Sequence, residues 1–343
     1  MDPLTHALSG ALGNHVLRPR RPGTRAFAPG ERLLLGAMAA LFPDVDWVLR
    51  LLADELTYLN LHRGITHSLL MWPLWALLLG YLLARFWPHE RDWRDGFRIF
   101  LIGMGLHIAG DFITSYGTQL FAPLSSVPLA FPSTFIIDPW ISLLLLLGLV
   151  AIWRPWPAWL PSVFFFACIG LVGLQGALKL NALEHARAEA LEKGLPNARI
   201  HALPQPLSPL HWRLIIEGPE LHYLAHLGFF RRSGGEVTGE NPVAVHWQTF
   251  ASVDSLRWER VSRFGEGEER AFVVEAWRRP EFGPYRHFAQ LPYLHAVEHH
   301  DGDRCAIFSD LRFQLPGLPE PAFRYAMCQS PGGEWERRRI GWW

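Results

Sequence analysis

Apolar and charged positions separate sharply along this chain. Residues 112–137, 139–153 and 155–178 carry no charge, whereas after Lys179 charged residues recur throughout. A bilayer core about 30 Å thick takes ~20 helical residues to cross. Segments 67–87, 135–153 and 161–180 meet that requirement on hydropathy alone. Segments 32–52 and 97–117 are also apolar but interrupted, the first by Asp44 and Asp46 and the second by His107 and Asp111. Residues 1–17 are short for a span and carry Asp2, His6, Asn14 and His15. The pattern predicts an α-helical polytopic membrane bundle of five spanning helices plus an N-terminal helix that spans poorly or re-enters. A cleaved signal peptide is not expected, because no basic n-region precedes Arg18.

The second half has a different texture. Runs 211–217, 243–253, 271–278 and 305–313 are short and rich in β-branched and aromatic residues, with Gly, Pro and Asp between them, as in a sheet or small sandwich. The expected organisation is a membrane-embedded helical metal-site domain over 1–180, a linker helix over 181–200, and a mostly β, soluble C-terminal domain over 201–343.

Orientation follows from Lys and Arg in the short loops. Loop 18–32 holds five Arg and loop 85–98 four, Arg154 marks a third, and loop 118–134 has no basic residue. The Arg-rich loops are expected to be cytoplasmic. The last helix then runs outward and carries residues 181–343 to the extracytoplasmic side, the periplasm if the host has two membranes.

Composition narrows the function. Thirty-two basic residues balance thirty-two acidic ones, which removes the electrostatic case for a nucleic-acid partner. Sixteen Trp suit a chain that meets a membrane interface. Cys168, Cys305 and Cys328 form no CxxC pair, excluding a thiolate metal knuckle. Cys305 and Cys328 share the second half, where an oxidising compartment would permit a disulfide.

Ionisable side chains in membrane segments are costly, roughly 2.5–3.5 kcal/mol each at mid-helix. Here they gather in four motifs: DPLTH at 2–6, PDVD at 43–46, HRGITHS at 62–68 and HIAGD at 107–111. His and Asp are the nitrogen and oxygen ligands that zinc, manganese and iron accept. His107 and Asp111 are four apart and share a helix face with Gly103, Gly110, Thr114 and Thr118, a polar stripe that should face the bundle interior. His62 and His67 straddle a loop-to-helix entry, and Asp46 could bridge two metals. On the charge-rule topology His6, Asp44, Asp46, His62, His67, His107, Asp111 and Asp138 all fall at one membrane face. Burying such a set without metal would require each member to be paired. The pairs His222/His226 and His295/His299 lie in runs read as strands, where packing or surface roles are expected.

The run MDPLTH, PDVD, HRGITHSLL, HIAGDFITSYGTQLFAPLS and FIIDP resembles the YdjM-type family of bacterial inner-membrane metal-dependent hydrolases, densely over about residues 1–145. That family is in turn similar to zinc-dependent phospholipase C and single-strand nucleases. The resemblance implies metal ligands at His6, Asp44, Asp46, His62, His67, His107 and Asp111, with zinc the expected ion and one to three ions bound. The HxxxE pair of the phospholipase C group is not found within residues 1–180. Arg63 is the candidate grip for an anionic group, since its planar fork matches phosphate, and Asp46 or Asp138 the candidate base. The expected activity is hydrolysis of a phosphoester in a lipid-linked or otherwise amphipathic substrate, with membrane lipid as a partner. The competing expectation is a non-catalytic membrane protein with a structural metal site and a partner-binding β domain.

Overall fold

The structure, a computed structural model, describes residues 1–18, 25–230, 241–300, 302–318 and 320–341. Part of the Arg-rich loop, residues 19–24, lies outside the described residues, as does the His300 side chain. The chain divides into two units, Met1–Asp54 with Leu61–Ala177, and Glu55–Asn60 with Leu178–Trp343.

The first unit is helical. Helix α1 (Pro3–Val16) starts where Asp2 accepts the Thr5 amide at 3.0 Å and Pro3 fills the first turn. Helix α2 (Pro29–Leu41) is capped by Glu31 reaching back to the Ala28 amide at 2.7 Å. It ends before Pro43, which cannot donate a helical hydrogen bond, and the chain continues as a 3₁₀ stretch, Phe42–Leu51. The seven-residue α3 (Glu55–Leu61) follows, then α4 (Trp72–Phe86), α5 (Trp93–Phe112) and α6 (Pro139–Trp153). Helix α7 (Leu160–Glu192) runs 33 residues without a break, through the border between the units.

Glycines set how closely these helices cross. A Cβ on Gly10 would lie 2.3 Å from the Gly36 carbonyl oxygen, and one on Gly80 would lie 2.3 Å from the Phe97 nitrogen. Backbones therefore touch where α1 meets α2 and where α4 meets α5, the small-residue device of tightly packed bundles. Asn14 joins α5 to α1's own turn, donating to the Gly10 and Ile99 carbonyls at 3.1 and 3.2 Å.

Five spanning helices are not found, and this corrects the expectation from hydropathy. Among the described residues only α7 is long and apolar enough to cross a bilayer, or two spans if Glu55–His67 and Trp72–Phe86 count as one path bent by 72°. The reason is where the breaks fall. Pro43 cuts segment 32–52, and the turn before Trp72 leaves α4 with 15 residues, as many as α6. Fifteen helical residues rise only about 22 Å, short of a hydrocarbon core. Helix α5 has 20 residues but carries Arg94, Asp95, Arg98 and Asp111. Large apolar side chains are nonetheless exposed on the bundle exterior, among them Leu74, Leu78, Phe86, Leu146, Trp153 and Phe166.

The second unit holds two four-stranded antiparallel sheets. The first is β1 (Arg199–Pro204), β2 (His211–Glu217), β3 (Leu221–Gly228) and β4 (Glu259–Ser262); the second is β5 (Pro292–His300), β6 (Asp303–Asp310), β7 (Arg324–Gln329) and β8 (Trp335–Ile340). Strand β2 is buried along nearly its whole length, because both its faces are covered. Ala182 and Ala186 of α7 pack with Ala202, Trp212 and Leu227 on one side, and Leu291, Tyr293 and Leu311 pack with Ile215 and Leu224 on the other. Cys305 and Cys328 are opposite one another on β6 and β7 and form a disulfide.

Two segments expected as strands are helices. Residues 243–253 contain α8 (Pro242–Thr249), which Asn241 starts by accepting the Val243 and Ala244 amides. Residues 271–278 lie in α9 (Arg270–Arg278), where Phe272, Val273, Ala276 and Trp277 recur at helical spacing and are buried. A further helix, α10 (Gly283–Phe288), precedes β5.

Candidate metal centre

Four motifs far apart in sequence meet in the first unit. On a 3₁₀ stretch, residues two apart point about 120° from one another, so Asp44 and Asp46 address different neighbours. Asp44 Oδ1 lies 3.4 Å from His67 Nε2 and 3.5 Å from His107 Nε2. Asp46 turns to the HRGITH loop: Oδ1 is 2.8 Å from His62 Nδ1, and Oδ2 accepts the Arg63 amide at 3.1 Å and the Thr66 hydroxyl at 3.2 Å.

That loop is bent to present both histidines. Arg63 has a left-handed backbone, φ +62°, uncommon for a residue with a Cβ. The Gln119 amide donates to the Arg63 carbonyl at 2.9 Å, and the His67 amide to Gly64 at 2.9 Å, closing a short 3₁₀ turn at Ile65–His67. From α5, His107 and Asp111 project together, as their spacing predicts. The rings of His67 and His107 are 4.9 Å apart, and those of His62 and His67 are 5.8 Å apart.

Hydrogen bonds fix which ring nitrogens face inward. His107 Nδ1 is 2.6 Å from the Ala40 carbonyl oxygen, so it carries the proton and donates. Thr66 gives its own proton to Asp46, so its oxygen accepts from His67 Nδ1 at 3.0 Å. Both Nε2 atoms then face the interior, available as lone-pair donors to a metal ion, and they lie 3.0 Å apart. Asp111 Oδ2 lies 3.3 Å from the first and 3.4 Å from the second. Four electron-pair donors thus converge: His67 Nε2, His107 Nε2, Asp44 Oδ1 and Asp111 Oδ2.

A cation between its members, a metal ion or a proton, relieves the repulsion within such a set. Tetrahedral zinc with ligands at about 2.0–2.1 Å has ligand-to-ligand edges near 3.3 Å, and the five spacings above run from 3.0 to 3.5 Å. Each imidazole is also oriented through its second nitrogen by an acceptor, the arrangement metal-binding histidines show. Asp44, Asp46 and His62 form a second group with metal-ligand spacing, and Asp44 is common to both. The residues present therefore fit one divalent ion, with donors for a neighbouring one. Asp44, rather than Asp46, occupies the position shared by the two groups.

The remaining candidates have other surroundings. His6 stacks on His107 with ring centres 3.7 Å apart, and its Nε2 is 3.1 Å from Asp111 Oδ1. The Met1 amino group also donates to that oxygen. Arg63 reaches back over the site: Nε is 2.8 Å from Asp111 Oδ2, though off the hydrogen-bond direction, and NH1 donates to Thr114 Oγ1 at 3.0 Å. Its guanidinium is therefore committed to Asp111. Asp138 is in neither group; it caps α6 through the Trp140 and Ile141 amides at 2.9 and 3.0 Å and accepts from Gln175 at 2.7 Å. Thr66 and the Ala40 carbonyl escape the sequence reading. Thr66 lies inside the HRGITH motif and could have been found there, but a main-chain oxygen has no signature. Tyr116, beside His62 at 5.6 Å and under the Arg63 guanidinium at 4.9 Å, was likewise unmarked.

In the second unit the paired histidines lie on strands. His222 is buried with Nε2 3.2 Å from the Pro292 carbonyl, and His226 Nε2 accepts from Arg213 Nε at 3.4 Å.

The profile of the YdjM inner membrane protein family matches residues 1–179. The chain belongs to that family. The matched stretch contains every residue of both donor groups and ends within α7, before the sheets begin. The uncharacterized protein YfhP of Bacillus subtilis (strain 168) is 34% identical over 159 residues, 45% of this chain and 46% of YfhP. The chain thus spans less than half the length of that relative. No solved structure matches.

Proposed function

We propose that this YdjM-family protein is a membrane-bound, metal-dependent hydrolase acting on a phosphoester of a lipid or other amphipathic substrate, with zinc as the ion. One observation carries the reading: the four inward-facing donors converge beside a carboxylate, Asp44, whose side chain is 28% exposed while His67, His107 and Asp111 are sealed. A structural metal site is closed on all sides, whereas a catalytic one keeps a position open. Asp44 is common to the neighbouring group of Asp46 and His62, so an ion held by His67, His107 and Asp111 would keep a position toward the Asp44 edge for water or substrate.

A divalent ion held there would acidify water toward pKa ~7 and polarise a phosphoryl oxygen. The chain's own groups do the rest. Thr66 and Ala40 orient the rings of His67 and His107 through their Nδ1 atoms, and Asp46 orients His62. The His62–Asp46 pair, His62 partly exposed and Asp46 buried, is the proton acceptor best situated for water arriving at the Asp44 edge. Arg63 tempers the charge of Asp111, so that the two inner carboxylates coexist. The outer-leaflet side of a bacterial inner membrane is the proposed location of the site and the β domain. The Cys305–Cys328 bridge supports it, since disulfides persist in oxidising compartments.

The test is metal analysis of detergent-purified protein beside His107→Ala and Asp111→Ala, with phosphodiester and phosphomonoester hydrolysis assayed on the same samples. Stoichiometric metal and turnover, both lost in the variants, is the expected result. Metal that is lost in the variants, without turnover of any substrate by the wild type, would reduce the centre to a structural one.

A further inference from the structure

A cleft of about 430 Å³ opens at one end of the first sheet, lined by residues 194–199 and 217–219 and by Arg263, all of the second unit. Turns make its walls. Helix α7 stops at Glu192; Gly194 then takes a left-handed backbone, φ +72°, and its amide donates to the Leu191 carbonyl at 3.0 Å. The chain enters β1 at Arg199, opposite Glu217, the last residue of β2. The Arg263 amide donates to the Glu220 carbonyl at 2.8 Å, which brings the residue after β4 to the same rim.

The cleft carries charge of both signs. His201 Nε2 donates to Glu217 Oε2 at 2.9 Å and leaves Oε1 as an acceptor. Burial would raise the Glu217 carboxyl, but that bond and the nearby Arg199 hold it below the usual carboxylate range, so it stays ionised. Among the described residues neither Arg199 nor Arg263 forms an ion pair with a carboxylate. Arg263 Nε is buried without a hydrogen-bond partner. Its guanidinium carbon lies 5.3 Å from the ring centres of both Phe264 and Trp277, which hold it in place. Burial pulls its pKa down, and Glu217 offsets this only in part. A half-buried guanidinium without an anion costs free energy that a bound anion would recover.

We propose that this cleft binds a small zwitterion, its phosphate group on Arg199 and Arg263 and its ammonium group on Glu217. Two planar forks suit the several oxygens of a phosphate, whereas one fork satisfies a carboxylate. Ionised Glu217 repels a plain anion or a polyanion, so a ligand that brings its own positive charge is favoured over both. That chemistry occurs in a free aminoalkyl phosphate and in an aminoalkyl phosphodiester lipid headgroup. The inference is independent of the metal reading, since no residue of either donor group takes part.

The experiment uses full-length protein purified in a maltoside detergent and stripped of metal by dialysis. Calorimetric titration with O-phosphoethanolamine, glycerophosphoethanolamine, inorganic phosphate and ethanolamine should show one-to-one binding of a zwitterion, tighter than that of either half alone. Preference for the monoester identifies a free phosphate as the source, and preference for the diester a lipid headgroup. Arg263→Gln, and Arg199→Gln at an exposed position, should each weaken that binding roughly tenfold or more, as for losing a hydrogen bond between charged groups. Glu217→Gln should weaken the zwitterion while leaving or strengthening inorganic phosphate, a split that loss of structure would not produce. His107→Ala should bind as the wild type does. The proposal is overturned if the wild type binds none of the four compounds or if both arginine variants bind unchanged. It is equally overturned if Glu217→Gln weakens phosphate and zwitterion alike, or if His107→Ala abolishes binding, which would move the ligand to the metal centre.

Discussion

His67 and His107 point their Nε2 atoms at each other across 3.0 Å, each committed through its Nδ1 to an acceptor that is neither metal nor water. A divalent ion between these nitrogens and the two carboxylates would bind the folded arrangement and not the unfolded chain, so metal and fold should be thermodynamically linked. Adding zinc to chelator-treated protein should raise its melting temperature, with a gain that grows as the logarithm of free metal. His107→Ala should abolish that response. Equal melting curves with and without zinc in the wild type would contradict it.

Arg63 should act on stability and metal affinity in opposite directions. Its guanidinium pairs with buried Asp111 alongside the Met1 amino group and His6, so Arg63→Ala removes one of several partners of a buried carboxylate and should cost about 1–3 kcal/mol in the metal-free protein. The same substitution removes a positive charge beside the donor set and should tighten cobalt binding. Denaturation with and without metal, together with a cobalt titration, reads both effects; weaker binding in the variant would count against the electrostatic account.

The helix crossings are intolerant of volume. At Gly80 a side chain would meet the Phe97 backbone rather than a flexible side chain, and relief requires the helices to part. Gly80→Val should lower bundle stability by about 1–3 kcal/mol, whereas Gly170→Val, where a Cβ meets nothing within 4 Å, should be nearly neutral. Thermal aggregation of the two purified variants distinguishes them.

The β domain should lose stability in acid. Burial, with Arg213 and His246 adding to it, holds His226 down to about 3, against 6.5 for an ordinary histidine. A depressed histidine is neutral when folded and binds a proton on unfolding, so its contribution is complete above pH 6.5 and shrinks as the pH falls toward 3. By pH 5 the loss should reach about 1–2 kcal/mol, and His226→Phe should flatten the profile between pH 7 and pH 5. A wild-type stability that stays level across that range would refute the assignment.

Reduction should weaken the same domain. The Cys305–Cys328 bridge closes a loop spanning a sequence separation of 23, and loops of that size are worth about 3 kcal/mol through the unfolded chain. Thiol labelling under native, non-reducing conditions should modify Cys168 at most, and reductant should add two further sites and lower the unfolding midpoint. Three reactive thiols without reductant would place the domain in a reducing compartment.

The donor set was legible because chemistry is carried by residue identity. Asp44, His67, His107 and Asp111 stand out in apolar surroundings, and the i, i+4 spacing of His107 and Asp111 puts them on one face. The spans were not legible because hydropathy averages over breaks. Pro43 and the turn before Trp72 interrupt helices without changing the apolar count. The argument that placed all ligands at one membrane face leaned on those spans; their convergence rests instead on the 3₁₀ stretch and the bent HRGITH loop, neither of which has a periodic signal. In the second unit, 211–217 is a strand as its residues suggest, while 271–278 is rich in β-formers but buries positions at helical spacing. Asp138 shows the reverse hazard: an Asp-Pro pair in an apolar context serves as a helix cap, and no sequence pattern separates that role from catalysis.

The left-handed turn at Arg63 fuses two services in one residue, since its amide holds Asp46 and its guanidinium holds Asp111. Glycine would ease the backbone and forfeit the cation; lysine would keep a cation and retain the contortion without the fork. Either replacement would therefore keep the amide's hold on Asp46 and give up part of what the side chain does for Asp111.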